Sequence, residues 1–137
     1  MERLKNAGVI TIGKTNTPEF GAGSQTLNEV FDETLYPYDT IKTRGGCNGG
    51  AAVALACGML PIADGSDMGG GVPNPASFCN VVGFGTCSGR TPLWPTFTGC
   101  FPISVEGPMA RTVKDVAFRF FLIQSIFFLD FEQTGFS

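Results

Sequence analysis

The hydrophobic positions fall in short runs separated by long glycine-rich stretches, which predicts a few short elements joined by extended loops. The polar opening of the chain predicts a helix that ends at Asn6 and Gly8, and the β-branched run Val9–Ile12 predicts a strand after it. Ala51–Cys57 is small and apolar on every side, which is typical of a buried helix. Gly58 is placed to end that helix.

Predicted strands and helices also alternate in the second half of the chain. Leu60–Ala63 and Val81–Phe84 are apolar runs that predict two buried strands, with a glycine-rich turn at Gly69–Gly71 between them. Thr112–Asp115 has the spacing of a capping box, which predicts the start of a last helix that runs toward Phe128. Strands that alternate with helices indicate an α/β fold.

Composition excludes several classes of protein. With 43% hydrophobic and 15% charged residues, the chain is not an intrinsically disordered tail. A net charge of −3 argues against nucleic-acid binding through a basic surface. The longest apolar stretch, Phe120–Leu129, is about half of the ~20 residues that cross a bilayer, so we expect no membrane span. Five cysteines without a CxxC pair, behind a polar start, predict reduced thiols and a cytoplasmic location.

The chain contains no histidine, which restricts its chemistry. A Ser–His–Asp triad, a Cys–His dyad and a histidine-ligated zinc site are all excluded. Asp64 and Asp67 could suggest a metal pair, but carboxylates in a glycine-rich turn more often accept backbone N–H groups. We therefore expect neither a metal nor a cofactor.

Two glycine clusters, Gly45–Gly50 and Gly65–Gly71, flank the predicted helix. Glycines ahead of a helix allow backbone N–H groups to converge on an anion, as in a phosphate cradle or an oxyanion hole. A P-loop requires Lys and then Ser or Thr after its last glycine, where this chain has Ala51 and Ala52. Spacing alone also leaves open that the glycines only permit tight turns and close packing.

Gly45–Ala52 and Ala63–Cys79 closely resemble the core of the amidase signature family. Gly13–Phe20, Val81–Phe84 and Ser104–Thr112 extend the resemblance in one register. Members of this family include the glutamyl-tRNA amidotransferase A subunit, fatty acid amide hydrolase and 6-aminohexanoate cyclic dimer hydrolase. The resemblance implies a partial amidase signature core over residues 1–117, with a mixed sheet flanked by helices, and an atypical phenylalanine-rich helix or tail over residues 118–137.

The family resemblance implies hydrolysis of a carboxamide C–N bond by a Ser–Ser–Lys triad, and this chain departs from that triad. Gly71 stands at the nucleophile position and Cys47 at the relay-serine position. The segment that carries the family's lysine is absent, and Lys14 belongs to a different family block. We therefore expect a truncated and catalytically defective protein whose family substrate is a small amide.

The oxyanion turn of the family has its counterpart in Asp67, Met68, Gly69 and Gly70. The alternative function is thus a non-catalytic binding or scaffolding fragment that keeps a vestigial oxyanion pocket. Cys47 precedes a helix N-terminus, which would lower the pKa of its thiol, but no base accompanies it and a small structural thiol is the favoured interpretation.

Three further expectations concern packing. Cys57 and Cys79 fall in apolar segments and are expected in the core. Six phenylalanines between Phe118 and Phe131 exceed what one amphipathic stripe buries. The chain is therefore expected to be an internal fragment of a longer family member, marginally stable and prone to self-association through exposed apolar surface.

Overall fold

The computed structural model describes residues 2–92 and 103–133, and for the side chains residues 4–92 and 103–123. The helices are α1 (Glu2–Asn6), α2 (Gly49–Ala56), α3 (Pro73–Phe78) and α4 (Val113–Gln133), with a 3-10 turn at Glu19–Gly21. The strands are β1 (Leu27–Asn28), β2 (Asp32–Glu33), β3 (Ile62–Asp67), β4 (Val82–Gly83) and β5 (Val105–Ala110).

The central sheet has the strand order β3-β5-β4, and β1 and β2 form a separate hairpin. β5 runs antiparallel to both neighbours, with Ile62 and Val82 both opposite Ala110. Successive residues of β3 point to opposite faces. Gly65 lies against Asn48 at the start of α2, whereas Asp64 pairs with Arg119 of α4. The sheet is therefore covered on both sides by helices, and the predicted α/β class is confirmed.

Small residues allow α2 to pack closely on this sheet. The core combines alanines of α2 with residues of α3, β5 and the segments next to them. Its buried members are Ala51, Ala52, Leu55, Val72, Ala76, Cys79 and Met109. The predicted buried helix is confirmed, although it begins at Gly49 rather than at Ala51.

Both predicted helix boundaries are confirmed by their hydrogen bonds. Gly58 adopts φ +72°, which glycine tolerates without a side-chain penalty, and its N–H donates to the Leu55 carbonyl oxygen at 3.0 Å. At the start of α4, the Asp115 N–H donates to Thr112 Oγ1 at 3.2 Å, and that hydroxyl donates to the Asp115 carboxylate at 2.6 Å. The N-cap bond of the predicted capping box thus forms, whereas the Asp115 carboxylate accepts the Thr112 hydroxyl rather than the Thr112 backbone N–H.

The sequence analysis divides the chain into a core over residues 1–117 and an atypical helix or tail over residues 118–137. Helix α4 runs continuously across this boundary. The division at that point stays a prediction. In the part of the chain that the structure describes, no helix is both long and apolar enough to span a bilayer.

The predicted strand at Val9–Ile12 is wrong, because this segment is a loop with Ile10 and Ile12 mostly exposed. A β-branched run becomes a strand only where a partner strand completes its hydrogen bonds, and none pairs with it among the described residues. Cys57 is also exposed, contrary to expectation, because it caps the C-terminus of α2 beyond the buried face. Cys79 is fully buried, as predicted.

Replacement of Leu55 by Ala tests the importance of this core. Leu55 is fully buried, so we expect Leu55→Ala to lower the free energy of unfolding by about 2–5 kcal/mol, measured by urea denaturation. Met59, just beyond the same helix, is 70% exposed, and Met59→Ala should change it by less than about 0.5 kcal/mol. Equal effects of the two substitutions would contradict the position of the core.

Candidate functional site

The loop before α2 and the turn after β3 meet at Cys47 and Gly71. A Cβ built on Gly71 would lie 2.7 Å from Cys47 Sγ and 2.5 Å from the Ser66 carbonyl oxygen. The Cys47 thiol donates to that same carbonyl at 3.8 Å. The structure therefore brings together the two positions that the resemblance assigns to the relay and the nucleophile.

Asn48 holds this loop against the turn. Its carboxamide nitrogen donates to the carbonyl oxygens of Ser66 at 2.7 Å and Gly71 at 2.6 Å. The side chain is almost fully buried and fits against Gly65, where a Cβ would lie 2.8 Å from Asn48 Cγ. Both amide protons of Asn48 are thus engaged at the junction, and the glycine opposite it supplies the space.

The turn after β3 is closed by its own carboxylate. Asp67 Oδ1 accepts the N–H groups of Gly70 at 2.7 Å and Gly71 at 2.8 Å. Gly69 and Gly70 adopt φ +97° and +102°, a conformation that a side chain would strain. The expectation that Asp67 accepts backbone N–H groups is confirmed. These two amides donate to a carboxylate that is already present.

Among the residues that the structure describes, no backbone N–H donates to the Asp64 carboxylate, contrary to the expectation for it. Its carboxylate pairs with Arg119 of α4 at 2.5 Å, because its side chain points to the opposite face of the sheet from the turn. Across the described residues, no group of three or more cysteines and carboxylates is placed to hold a metal ion.

A buried arginine stabilises the loop before α2, and the sequence analysis did not predict this role. Arg44 is fully buried, pairs with Glu33 of β2 at 2.5 Å and donates to the Thr26 carbonyl oxygen. Thr26 Oγ1 accepts the Gly49 N–H at 2.9 Å and donates to the Gly46 carbonyl oxygen at 3.0 Å. The one sequence signal was a cationic residue directly before the first glycine cluster.

Burial sets the protonation of the thiols. It raises the pKa of the Cys47 thiol, and the negative charge of Asp67 raises it further. The expected lowering by the helix N-terminus is therefore wrong, since desolvation of the thiolate outweighs it. Burial likewise raises the pKa of Cys79 to about 11. Cys47, Cys57, Cys79 and Cys87 are all free thiols, and Cys100 lies outside the described residues.

Glu106 lies on β5 opposite Ser66 and on the same face of the sheet as Asp64. Burial raises the pKa of its carboxyl group, and the nearby negative charge of Asp64 adds to the shift. This half-buried carboxyl group lies one register position from Asp67, the acid that closes the turn.

Lys14 lies apart from the junction. It is exposed and lines a cavity of about 800 Å³ formed by residues 14–20 and the β1–β2 hairpin. The lining of this cavity includes neither Cys47 nor Gly71. The assignment of Lys14 to a different family block stays a prediction.

Comparisons with known proteins show which proteins this chain resembles. The family model described as Amidase matches residues 1–126. The A subunit of glutamyl-tRNA(Gln) amidotransferase from Geobacillus sp. (strain WCH70) is 45% identical over 95% of this chain and 26% of its own length. Its counterpart from Thermus thermophilus is 44% identical over 84% of this chain. The chain spans about a quarter of the length of these curated relatives.

The fold of this chain also resembles part of several solved structures. The structure of 6-aminohexanoate cyclic dimer hydrolase superposes with a TM-score of 0.82 and 35% identity, and covers 89% of this chain and 26% of its own. The A subunit of glutamyl-tRNA(Gln) amidotransferase from Thermotoga maritima gives a TM-score of 0.78 at 35% identity, over 89% of this chain and 27% of its own.

Asn48→Ala tests the junction. The substitution removes the donor of the buried Gly71 carbonyl oxygen and the stronger donor of the half-buried Ser66 carbonyl oxygen, so we expect the free energy of unfolding to fall by about 1–3 kcal/mol in urea denaturation. Ser77→Ala, at an exposed position on α3, is the control and should change it by less than about 0.5 kcal/mol. A wild-type stability for Asn48→Ala would show that the junction is held by other contacts.

Glu106→Gln tests the half-buried carboxyl group. Because the pKa of Glu106 is raised in the folded chain, the native state holds this proton more tightly than the unfolded state does. Its contribution to stability is fully present below about pH 4.5 and is lost as pH rises through the folded pKa. We therefore expect urea midpoints of Glu106→Gln to exceed wild type near pH 7 and to converge with it toward pH 4. Glu29→Gln, at an exposed carboxyl, should follow wild type throughout.

Proposed function

This chain belongs to the amidase family, and from that premise we propose that it is an amidase-type protein that is catalytically defective on its own. The observation that carries the proposal is the direction of the missing side chain at Gly71. A Cβ there would point at Cys47 Sγ, so the nucleophile position faces the relay position with no atom to attack a carbonyl.

The rest of the triad supports the same conclusion. In a Ser–Ser–Lys mechanism a serine oxygen attacks the amide carbon while its proton passes through a second serine to a lysine. The Cys47 thiol is protonated and donates to the Ser66 carbonyl oxygen, because burial raises the pKa of the thiol. Lys14 lies in the wall of a separate cavity. Removal of a whole catalytic triad costs about 10⁶-fold in rate in the best-studied case.

The family assigns a small carboxamide as the class of substrate. The names of the relatives point the same way, since one is part of an amidotransferase and another is a hydrolase of a cyclic dimer of 6-aminohexanoate. We propose a carboxamide ligand, no nucleic-acid partner and a cytoplasmic location, which free thiols at the described cysteines support.

The alternative, a vestigial oxyanion pocket open to a ligand at Met68–Gly71, receives less support. The N–H groups of Gly70 and Gly71 donate to the Asp67 carboxylate at 2.7 and 2.8 Å. An external carboxylate or oxyanion has to displace this internal acceptor before it can use either amide.

Release of ammonia or amine from small amides tests the proposal, with an active family member as positive control. We expect wild type and Gly71→Ser both to stay at the rate of buffer alone. The restored serine brings its Cβ within 2.5 Å of the Ser66 carbonyl oxygen and gains no base. The same Cβ lies 2.7 Å from Cys47 Sγ, and the double variant Gly71→Ser/Cys47→Ser, which replaces that sulfur by a smaller oxygen, should also remain inactive. Turnover by the wild-type chain well above buffer would overturn the proposal.

A further inference from the structure

Asn48 is followed directly by a glycine, and such a pair carries a reaction of its own. The backbone nitrogen of the glycine attacks the side-chain carbonyl carbon of the asparagine, because glycine has no side chain to obstruct the approach. Asn48–Gly49 is the one Asn–Gly pair among the six asparagines of the sequence. The other five asparagines precede residues that carry a Cβ, namely Ala7, Thr17, Glu29, Pro75 and Val81. The sequence therefore predicts that Asn48 is the most reactive asparagine of the chain.

The reaction is an intramolecular deamidation. The Gly49 nitrogen loses its proton to solvent and forms a bond to Asn48 Cγ, and the side-chain NH₂ group gains a proton and leaves as ammonia. The product is a five-membered succinimide ring. Water then adds to one of the two ring carbonyl carbons and breaks its C–N bond. Opening at Cγ leaves an aspartate at position 48, and opening at the backbone carbonyl leaves an isoaspartate, whose main chain is longer by one carbon.

The folded structure engages both groups that have to react. The Gly49 N–H, which would supply the attacking nitrogen, donates to Thr26 Oγ1 at 2.9 Å. The NH₂ group that would leave donates to the carbonyl oxygens of Ser66 at 2.7 Å and Gly71 at 2.6 Å. Asn48 is 7% exposed, so water has little access to its Cγ. Both ends of the reaction are thus held by the junction, where the loop before α2 meets the turn after β3.

The backbone of Asn48 also keeps the reacting atoms apart. Ring closure requires the Gly49 nitrogen and the Asn48 Cβ to lie on the same side of the Asn48 Cα–C bond. At the observed ψ of 30°, the geometry of an L-residue places them on nearly opposite sides. Gly49 has no room to rotate, since a Cβ on it would lie 2.6 Å from both Arg44 Cγ and Thr26 Oγ1. The loop therefore has to leave the turn before the ring can close.

We propose that Asn48 is a site of spontaneous deamidation that is inert while the junction is closed and reacts when the junction opens. Neither product re-forms the junction. A carboxylate has no N–H to donate, so the carbonyl oxygens of Ser66 and Gly71 would face another acceptor in a buried position. The Asp67 carboxylate, which accepts the Gly71 N–H at 2.8 Å, adds a second negative charge nearby. Deamidation thus makes the opening of the junction irreversible.

Peptide mass spectrometry of the full chain measures the reaction, because replacement of NH₂ by OH raises the mass of the peptide that contains Asn48. Wild type is incubated in mildly alkaline buffer, without urea and in urea above its unfolding midpoint, and then digested. We expect Asn48 to react about tenfold more slowly, or slower still, in the folded chain than in the unfolded chain, since reaction requires local opening. In the unfolded chain Asn48 should react faster than any other asparagine of the same molecule.

Two variants of Thr26 separate the effect of the fold from that of the sequence. Thr26→Val removes the acceptor of the Gly49 N–H and keeps the shape of the side chain, whereas Thr26→Ser keeps the acceptor. We expect Thr26→Val to raise the rate in the folded chain by about fivefold, which corresponds to the loss of one hydrogen bond. The rate in the unfolded chain should not change, and Thr26→Ser should follow wild type in both states. If Thr26→Val is unfolded in buffer, wild type below its urea midpoint takes its place, and its rate should rise with urea.

Asn48→Asp reproduces one of the two products. We expect its urea midpoint to lie below that of wild type, and by more near neutral pH than in acid, where the protonated carboxyl group regains a proton to donate. Equal rates at Asn48 in the folded and unfolded chains would overturn the protection by the junction. A faster reaction at another asparagine of the unfolded chain would overturn the choice of site. A wild-type midpoint for Asn48→Asp would overturn the irreversibility of opening.

Discussion

The carboxamide of Asn48 is the contact on which the described architecture depends. It stands directly before α2 and donates to the carbonyl oxygens of Ser66, near the end of β3, at 2.7 Å and of Gly71, in the turn before α3, at 2.6 Å. Helix α2, the central sheet and α3 are therefore joined at one buried side chain. Since a buried carbonyl without a donor is costly, the loop and the turn are held together whether or not a substrate is present.

The ends of the helices were easier to predict from the sequence than the pairing of the strands. The capping box at Thr112 and the glycine after α2 act within a few residues, and both were predictable from sequence. Val9–Ile12 has the composition of a strand but lacks a partner among the described residues, and pairing is a non-local property that a single sequence does not reveal. Helix α3 was missed because its two prolines suggest a turn, although proline is well tolerated in the first helical turn.

The sequence predicted which residues form the candidate site. It did not predict the pKa shift of Cys47 or the burial of Arg44. The family motif placed Cys47 and Gly71, and the structure brings them together. The direction of the Cys47 pKa shift depends on how deeply the thiol is desolvated, which requires the packed structure. Arg44 was missed for a similar reason, since a fully buried arginine is recognisable only once Glu33 and Thr26 are seen around it.

The glycines at the junction are required by packing before any chemistry is considered. A Cβ at Gly49 would lie 2.6 Å from Thr26 Oγ1, and a Cβ at Gly65 would lie 2.8 Å from Asn48 Cγ. A larger residue at either position has to displace a buried neighbour, so packing restricts these positions independently of any catalytic role. The glycine signature can thus outlast the activity with which it is associated. A match to that signature therefore identifies the fold and carries no information about activity by itself.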